Sequence, residues 1–199
     1  MTRKKQTPSQ TVGPFFAFAM TPGQYGYAFR DLAGTTIDDP ESRARPIAIV
    51  GTVYDGADQP VGDAVVEIWQ ADTLGRYGQP KGSPASNTGF QGFARAGTGA
   101  EPGCEFRFRT IKPGSVDGVQ APHINVVLFM RGLLCHLYTR IYFGDEPAAN
   151  DGDPVLARIA EARRESLIAS PSGTTSDGLA LYRFDIHMQG ERETVFFDV

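Results

Sequence analysis

Cysteine is nearly absent from this chain. Cys104 and Cys135 are the only two, they lie in separate segments, and no CxxC spacing occurs. A disulfide framework is thereby excluded, and the expectation is a pair of buried thiols in a cytosolic protein rather than a single bridge. Long apolar runs are lacking too. Nothing approaches the ~18 residues of a membrane-spanning helix, and the basic start Arg3-Lys4-Lys5 leads into Thr7-Pro8-Ser9-Gln10 instead of the apolar segment of a signal peptide. A cytoplasmic protein with no membrane partner is expected. Positive charge is not in excess: the net charge is −4, no basic stripe occurs, and nucleic acid is not an expected partner. There is no Gly-x-Ser-x-Gly elbow for a serine hydrolase. Gly-rich pieces such as Gly97-Thr98-Gly99 do not sit between a strand and a helix, so they do not cradle phosphate. Histidine is scarce. His123, His136 and His187 fit no single face or hairpin, and structural histidines outweigh a three-histidine metal centre.

What is present reads as a globular β protein. With 199 residues, 41% apolar and 21% charged, the chain is long enough to bury about 70% of its unfolded surface in one domain. Residues 1–45 lack periodicity, yet Phe15-Phe16-Ala17-Phe18 and Tyr25-Gly26-Tyr27 make them too aromatic to float free. They read as an extended, interface-forming arm that packs on this domain or on a partner chain. Residues 46–199 read as a mainly β domain, a β-sandwich of mixed strands with long loops. Its strands are Ile47 to Tyr54, Ala64 to Ala71, Glu105 to Arg109, His123 to Met130, Leu137 to Phe143, Leu181 to Gln189 and the short Thr194 to Phe197. His123 to Met130 is apolar on both faces beyond Asn125, as in a central strand covered twice. Residues 75–104 read as one long loop that serves a site or interface. One principal helix is expected over Pro154 to Ala169, where Leu156, Ile159, Ala160, Arg163 and Leu167 recur near helical spacing. Trp69 reads as core, and Tyr77 as a loop aromatic tucked against it.

The run Gln120-Ala121-Pro122-His123-Ile124-Asn125 carries the most chemistry. Strand side chains alternate, so His123 and Asn125 share a face. A His-x-His there would set two imidazoles on one ligand sphere. With Asn in the second position, the amide is a poor ligand for a ferric ion.

Several runs in order resemble the intradiol ring-cleaving dioxygenases, and within them the alpha protomers of the protocatechuate-cleaving branch. They are Thr7 to Phe15, Val66-Glu67-Ile68-Trp69-Gln70-Ala71-Asp72 with Gly75-Arg76-Tyr77, Phe108 to Gly114, Ala121 to Asn125, Tyr182 to Ile186 and Gly190 to Phe197. The resemblance covers nearly the whole chain and implies a non-haem Fe(III) held by two tyrosinates and two histidines. Its ligand positions fall here on Tyr77, Val116, His123 and Asn125, so two of the four are lost. A basic residue expected three before the first histidine falls on Gln120.

The resemblance therefore implies a chain that binds no iron and holds no catalytic residue of its own. It implies a hetero-oligomer with a beta subunit that carries the Fe(III) and acts on protocatechuate and O2. In that assembly Thr11, Gly13, Pro14 and Arg131 would contribute to the partner's substrate pocket. Two alternatives stay open: a self-sufficient enzyme whose iron site is rearranged onto His136 or Tyr138, and a β-sandwich binding or assembly module with no part in catalysis.

Overall fold

The structure, a computed structural model, describes residues 11, 13, 15–37, 39, 44–78, 90–99 and 103–198. Nine strands are described: β1 (Pro46–Tyr54), β2 (Val65–Gln70), β3 (Phe93–Gly97), β4 (Glu105–Ile111), β5 (His123–Phe129), β6 (Leu137–Phe143), β7 (Ile168–Thr174), β8 (Ala180–Arg183) and β9 (Ile186–His187). They pair along one path, β3-β2-β5-β6-β7-β8-β1-β4, with β9 on β1. Strand β7 makes this path turn a corner. Ile168 and Ala169 pair in parallel with Tyr142 and Phe143 of β6, whereas Ser170, Pro171 and Thr174 pair antiparallel with β8. One strand thus belongs to both sheets, and the end strands β3 and β4 approach without pairing. The result is a β-sandwich that nearly closes on itself.

The alternating pattern fills the space between the sheets. Phe106 and Phe108 of β4 point inward, fully buried, while Arg107 and Arg109 face out. Ile47, Ile49 and Tyr182 join them from one sheet, and Val66, Ile68, Ile124, Val126, Leu128 and Ile141 face them from the other. Each fully buried side chain of this size contributes about 1.5–3 kcal/mol. Between β8 and β9 the chain leaves the ladder for two residues. Phe184 N–H still donates to Val50 O at 2.9 Å, and the Asp185 carboxylate takes over as acceptor for Thr52 N–H at 2.9 Å. Gly51 lies under this break.

The structure departs from the sequence reading in several places. No helix runs from Pro154 to Ala169. The segment breaks into a 3-10 turn at Leu156–Arg158, the short helix α3 (Glu161–Arg164) and a second 3-10 turn at Glu165–Leu167. Ile159 and Ala160 are extended, and Ile168 onward is strand. Leu156 and Leu167 bury against Ala121 and Tyr142, and pairing of β7 with the open edge of β6 outweighs helix propensity. A further short helix, α2 (Pro147–Asp151), precedes this segment. The long loop contains β3, which pairs with β2. Thr194 to Phe197 is not a strand: it is tied by a bridge from Phe197 to Tyr138 and by Thr194 N–H donating to His187 O at 2.9 Å. Strand β5 is buried on its Ile124, Val126 and Leu128 face but only half-buried at Asn125, Val127 and Phe129. Trp69 is 52% exposed rather than core. Cys104 is half-buried and Cys135 exposed, rather than both buried.

The described part of the arm holds the short helix α1 (Phe15–Met20), a 3-10 turn at Pro22–Tyr25 and then extended chain. Phe16 packs on Phe129 with ring centroids 5.3 Å apart, Tyr25 Oη donates to Gly62 O at 3.1 Å, and Thr36 bridges Arg109. Tyr27, Phe29 and Leu32 stay exposed. Among the described residues no helix is long and apolar enough to cross a membrane.

A Cβ at position 51 would stand 1.8 Å from Phe184 O and 2.5 Å from Phe106 Cζ, so only glycine fits. Gly51→Ala is expected to destabilise the fold by about 3 kcal/mol. Urea denaturation followed by circular dichroism checks this, and an unchanged midpoint would contradict it.

Candidate functional site

Two loops are locked together beside the start of β5. Asp72, just after β2, is buried. Its Oδ1 accepts from the amides of Leu74 and Arg76, each at 2.9 Å, and its Oδ2 from Arg76 Nε at 2.8 Å. Its carbonyl accepts from Gly75 N–H at 3.0 Å and Gly114 N–H at 2.9 Å. Gly75 has φ +78°, and a Cβ there would lie 1.9 Å from Ser115 O. At Gly114 a Cβ would lie 2.4 Å from Thr73 O. Backbone therefore meets backbone, and this brings Tyr77 and Val116 to the His123 end of β5.

There the side chains satisfy one another. Asn125 Nδ2 donates to Tyr77 Oη at 2.8 Å, and Tyr77 Oη lies 3.4 Å from His123 Nε2. His123 Nδ1 is 2.8 Å from Ala121 O, a contact that requires N–H on Nδ1 and leaves the lone pair on Nε2. Burial pushes the His123 imidazole below its usual value, and burial likewise pushes the Tyr77 phenol up, against the hydrogen bond from Asn125. Both groups are neutral near pH 7, and the phenol donates toward the imidazole. Val116 is buried and begins a tight turn through Asp117 (φ 57°) and Gly118 (φ 65°), with Gln120 N–H donating back to Val116 O at 3.1 Å.

A second layer was not singled out from the sequence. Arg140 on β6 pairs across the sheet with Asn125. Its Nη1 donates to Gln120 Oε1 at 2.9 Å and to Tyr142 Oη at 3.3 Å. Tyr142 Oη donates in turn to Asp153 Oδ1 at 3.2 Å. Asp153 is fully buried and also accepts from the amides of Ala121, Val155 and Leu156, each at 2.8 Å. The alternation of Leu137 to Phe143, which sets Arg140 and Tyr142 on one face, was the available signal.

The other expected site residues lie elsewhere. Arg131 follows β5 at its far end, eight residues beyond His123 and thus on the order of 25 Å away. Its guanidinium pairs with the Asp63 carboxylate. Thr11 Oγ1 accepts from Gly132 N–H at 2.9 Å, and Gly13 O accepts from Phe16 N–H at 3.0 Å. Pro14 lies outside the described residues. Thr11, Gly13 and Arg131 therefore share one edge of the molecule, opposite Tyr77, Val116, His123 and Asn125. His136 and Tyr138 bond each other at 2.7 Å. Tyr138 precedes Tyr142, the neighbour of His123 across the sheet, by four residues, about 13 Å along β6. Neither side chain joins the Tyr77 cluster. His187 stacks on Tyr54 instead.

The profile of a family described as dioxygenase matches residues 13–190. The chain belongs to the intradiol dioxygenase family. It is 47% identical, over the whole of both chains, to the protocatechuate 3,4-dioxygenase alpha chain of Burkholderia cepacia. It is 34% identical to the beta chain of that organism, over 82% of this chain and 73% of the other. Its fold is shared with an intradiol ring-cleavage dioxygenase from Tetranychus urticae, at 15% identity and TM-score 0.62, over 81% of this chain and 88% of that one.

The family is one of non-haem Fe(III) enzymes, but the residues of this chain do not fit that ion. Val116 offers an isopropyl group and no donor atom. Asn125 turns an N–H, not a lone pair, toward the Tyr77 oxygen. Tyr77 is held as a phenol where the ion requires an anionic oxygen, and the Arg140 guanidinium adds positive charge beside both Tyr77 and His123.

Burial raises the Tyr142 phenol to about 12 from an ordinary value of about 10. Folding thus favours the protonated form, and the stability this represents is intact below pH 10 and lost as pH rises toward 12. Ultraviolet titration is expected to show a tyrosine that ionises near pH 12 and is missing in Tyr142→Phe. Ionisation of every tyrosine by pH 10.5 would contradict this.

Proposed function

We propose that this chain is the alpha subunit of a protocatechuate 3,4-dioxygenase, one that supports ring cleavage without binding iron. The reaction is the O2-dependent intradiol cleavage of protocatechuate to 3-carboxy-cis,cis-muconate. The Fe(III) is held by a partner beta subunit in a hetero-oligomer. The observation that carries this reading is the state of the four ligand positions: Val116 and Asn125 replace two donors, and Asn125 closes Tyr77 and His123 into a hydrogen-bonded group. Likeness to an alpha chain over the full length, with a weaker likeness to a beta chain, supports the same division of labour. Aromatic catabolism in the cytoplasm is the setting that fits.

In this reading residues 1–45 form an interface arm on the β domain of residues 46–199. Thr11, Gly13, Pro14 and Arg131 belong to the wall of the partner's substrate pocket. The shared edge of Thr11, Gly13 and Arg131 supports this, as do the exposed Tyr27, Phe29 and Leu32 of the arm. Arg131 brings a guanidinium suited to a carboxylated substrate, with part of its charge already balanced by Asp63.

Iron content and protocatechuate-dependent O2 uptake, measured for this chain alone and after co-expression with a beta subunit, test the proposal. Neither is expected in the lone chain, and both are expected in the complex. Iron with a tyrosinate charge-transfer band in the lone chain would overturn it. In the complex, Arg131→Ala is expected to raise KM for protocatechuate about fivefold with iron content unchanged. Unaltered kinetics would remove Arg131 from the pocket.

A further inference from the structure

Arg140 is a half-buried guanidinium whose hydrogen-bond partners are both neutral oxygens, Gln120 Oε1 and Tyr142 Oη, and both are reached through Nη1. Among the described residues no carboxylate forms an ion pair with it, and neither Nε nor Nη2 has a hydrogen-bond partner. Other half-buried strand arginines differ: Arg95 pairs with Glu67, and Arg183 with Glu105 and Asp185. The buried carboxylate behind Arg140, Asp153, reaches it only through the Tyr142 hydroxyl and is otherwise engaged by three amides. Asp117 is exposed on the turn nearby.

Aromatic and apolar side chains stand on the same face as the open fork. Trp69, Asn125 and Arg140 are direct cross-strand partners on one face of β2, β5 and β6, so Trp69 and Arg140 stand about 10 Å apart, two strand spacings. Trp69 is 52% exposed and packs edge-on against Tyr77 at 5.4 Å. Val119 on the adjoining turn is 62% exposed. A planar guanidinium with its Nε and Nη2 edge unengaged grips a carboxylate bidentately, and an exposed indole offers a face for a ring.

We propose that this cluster is a second, non-catalytic binding site for a small aromatic carboxylate. Arg140 Nε and Nη2 hold the carboxylate, and the ring lies over Tyr77 toward Trp69. The site is made only of this chain's residues and lies at the opposite end of β5 from Arg131, apart from the pocket proposed for the partner.

The test is a fluorine NMR titration of 4-fluorobenzoate into the assembled alpha–beta complex, with the iron charge-transfer band followed in parallel. Two ligand sites per alpha–beta pair are expected, one that perturbs the iron band and one that does not. Arg140→Gln is expected to weaken the silent site about tenfold or more and leave the other unchanged. Arg140→Lys, which keeps the charge but loses the fork, is expected to fall between them. One site per pair in the unaltered complex overturns the proposal, and that count needs no variant to fold. A silent site indifferent to Arg140→Gln, or a variant that impairs only assembly, also overturns it and would give Arg140 to a carboxylate of the partner or to structure. The proposal rests on the accessory-subunit reading: iron in the lone chain would refute that reading, whereas a single site per pair in an assembled complex refutes only this one.

Discussion

Strand β5 is hydrogen-bonded along both edges, to β2 and to β6, and its register governs where chemistry can occur in this chain. Ile124, Val126 and Leu128 commit one face to the core, so His123, Asn125, Val127 and Phe129 must take the other. A slip of one residue would bury His123 and Asn125 among aliphatic side chains and expel three apolar ones. The same pairing sets Trp69 and Arg140 on either side of Asn125. A strand held this way is also a ruler. It keeps the Tyr77 cluster at one end and the Arg131 edge at the other, and no local rearrangement brings them together.

The closed state of the Tyr77 cluster follows from what buried polar atoms require. A buried phenol oxygen and a buried imidazole nitrogen need hydrogen-bond partners, because an unsatisfied buried polar atom costs about 1–3 kcal/mol. Asn125 supplies an N–H to the phenol, the phenol turns its proton toward His123 Nε2, and Ala121 O orients the ring. Val116 and Asn125 therefore act as a set. One brings neither a donor atom nor charge, and the other supplies a hydrogen bond rather than a lone pair.

Charge around the cluster points the same way. Gln120 is neutral, yet its amide oxygen bonds Arg140 on the next strand, so a guanidinium still stands beside the group. Positive charge there disfavours a trivalent cation. Asp153 anchors this layer from behind through Tyr142 and three backbone amides, which ties the segment after α2 to the entry of β5.

Much of this was legible in the order of residues. The period-two alternation of Glu105 to Arg109 and the shared face of His123 and Asn125 are local properties of a strand, and the poor donor chemistry of Val116 and Asn125 needs only side-chain identity. The tertiary structure decided the rest. Pro154 to Ala169 carries a helical spacing, but the free edge of β6 and the small core around Tyr142 and Leu167 pull it into turns and strand β7. Phe93 to Gly97, read as loop, became β3 because β2 offered an unpaired edge. Arg140 and Asp153 are far in sequence from Tyr77, and only pairing of β5 with β6 and the fold of the segment after α2 bring them beside it. Sequence by itself determined which side chains could coordinate, bond or pack, since those capacities are covalent. Which of them meet was decided by strand register and by backbone contact at Gly51, Gly75 and Gly114, where chain segments distant in sequence approach too closely for any side chain.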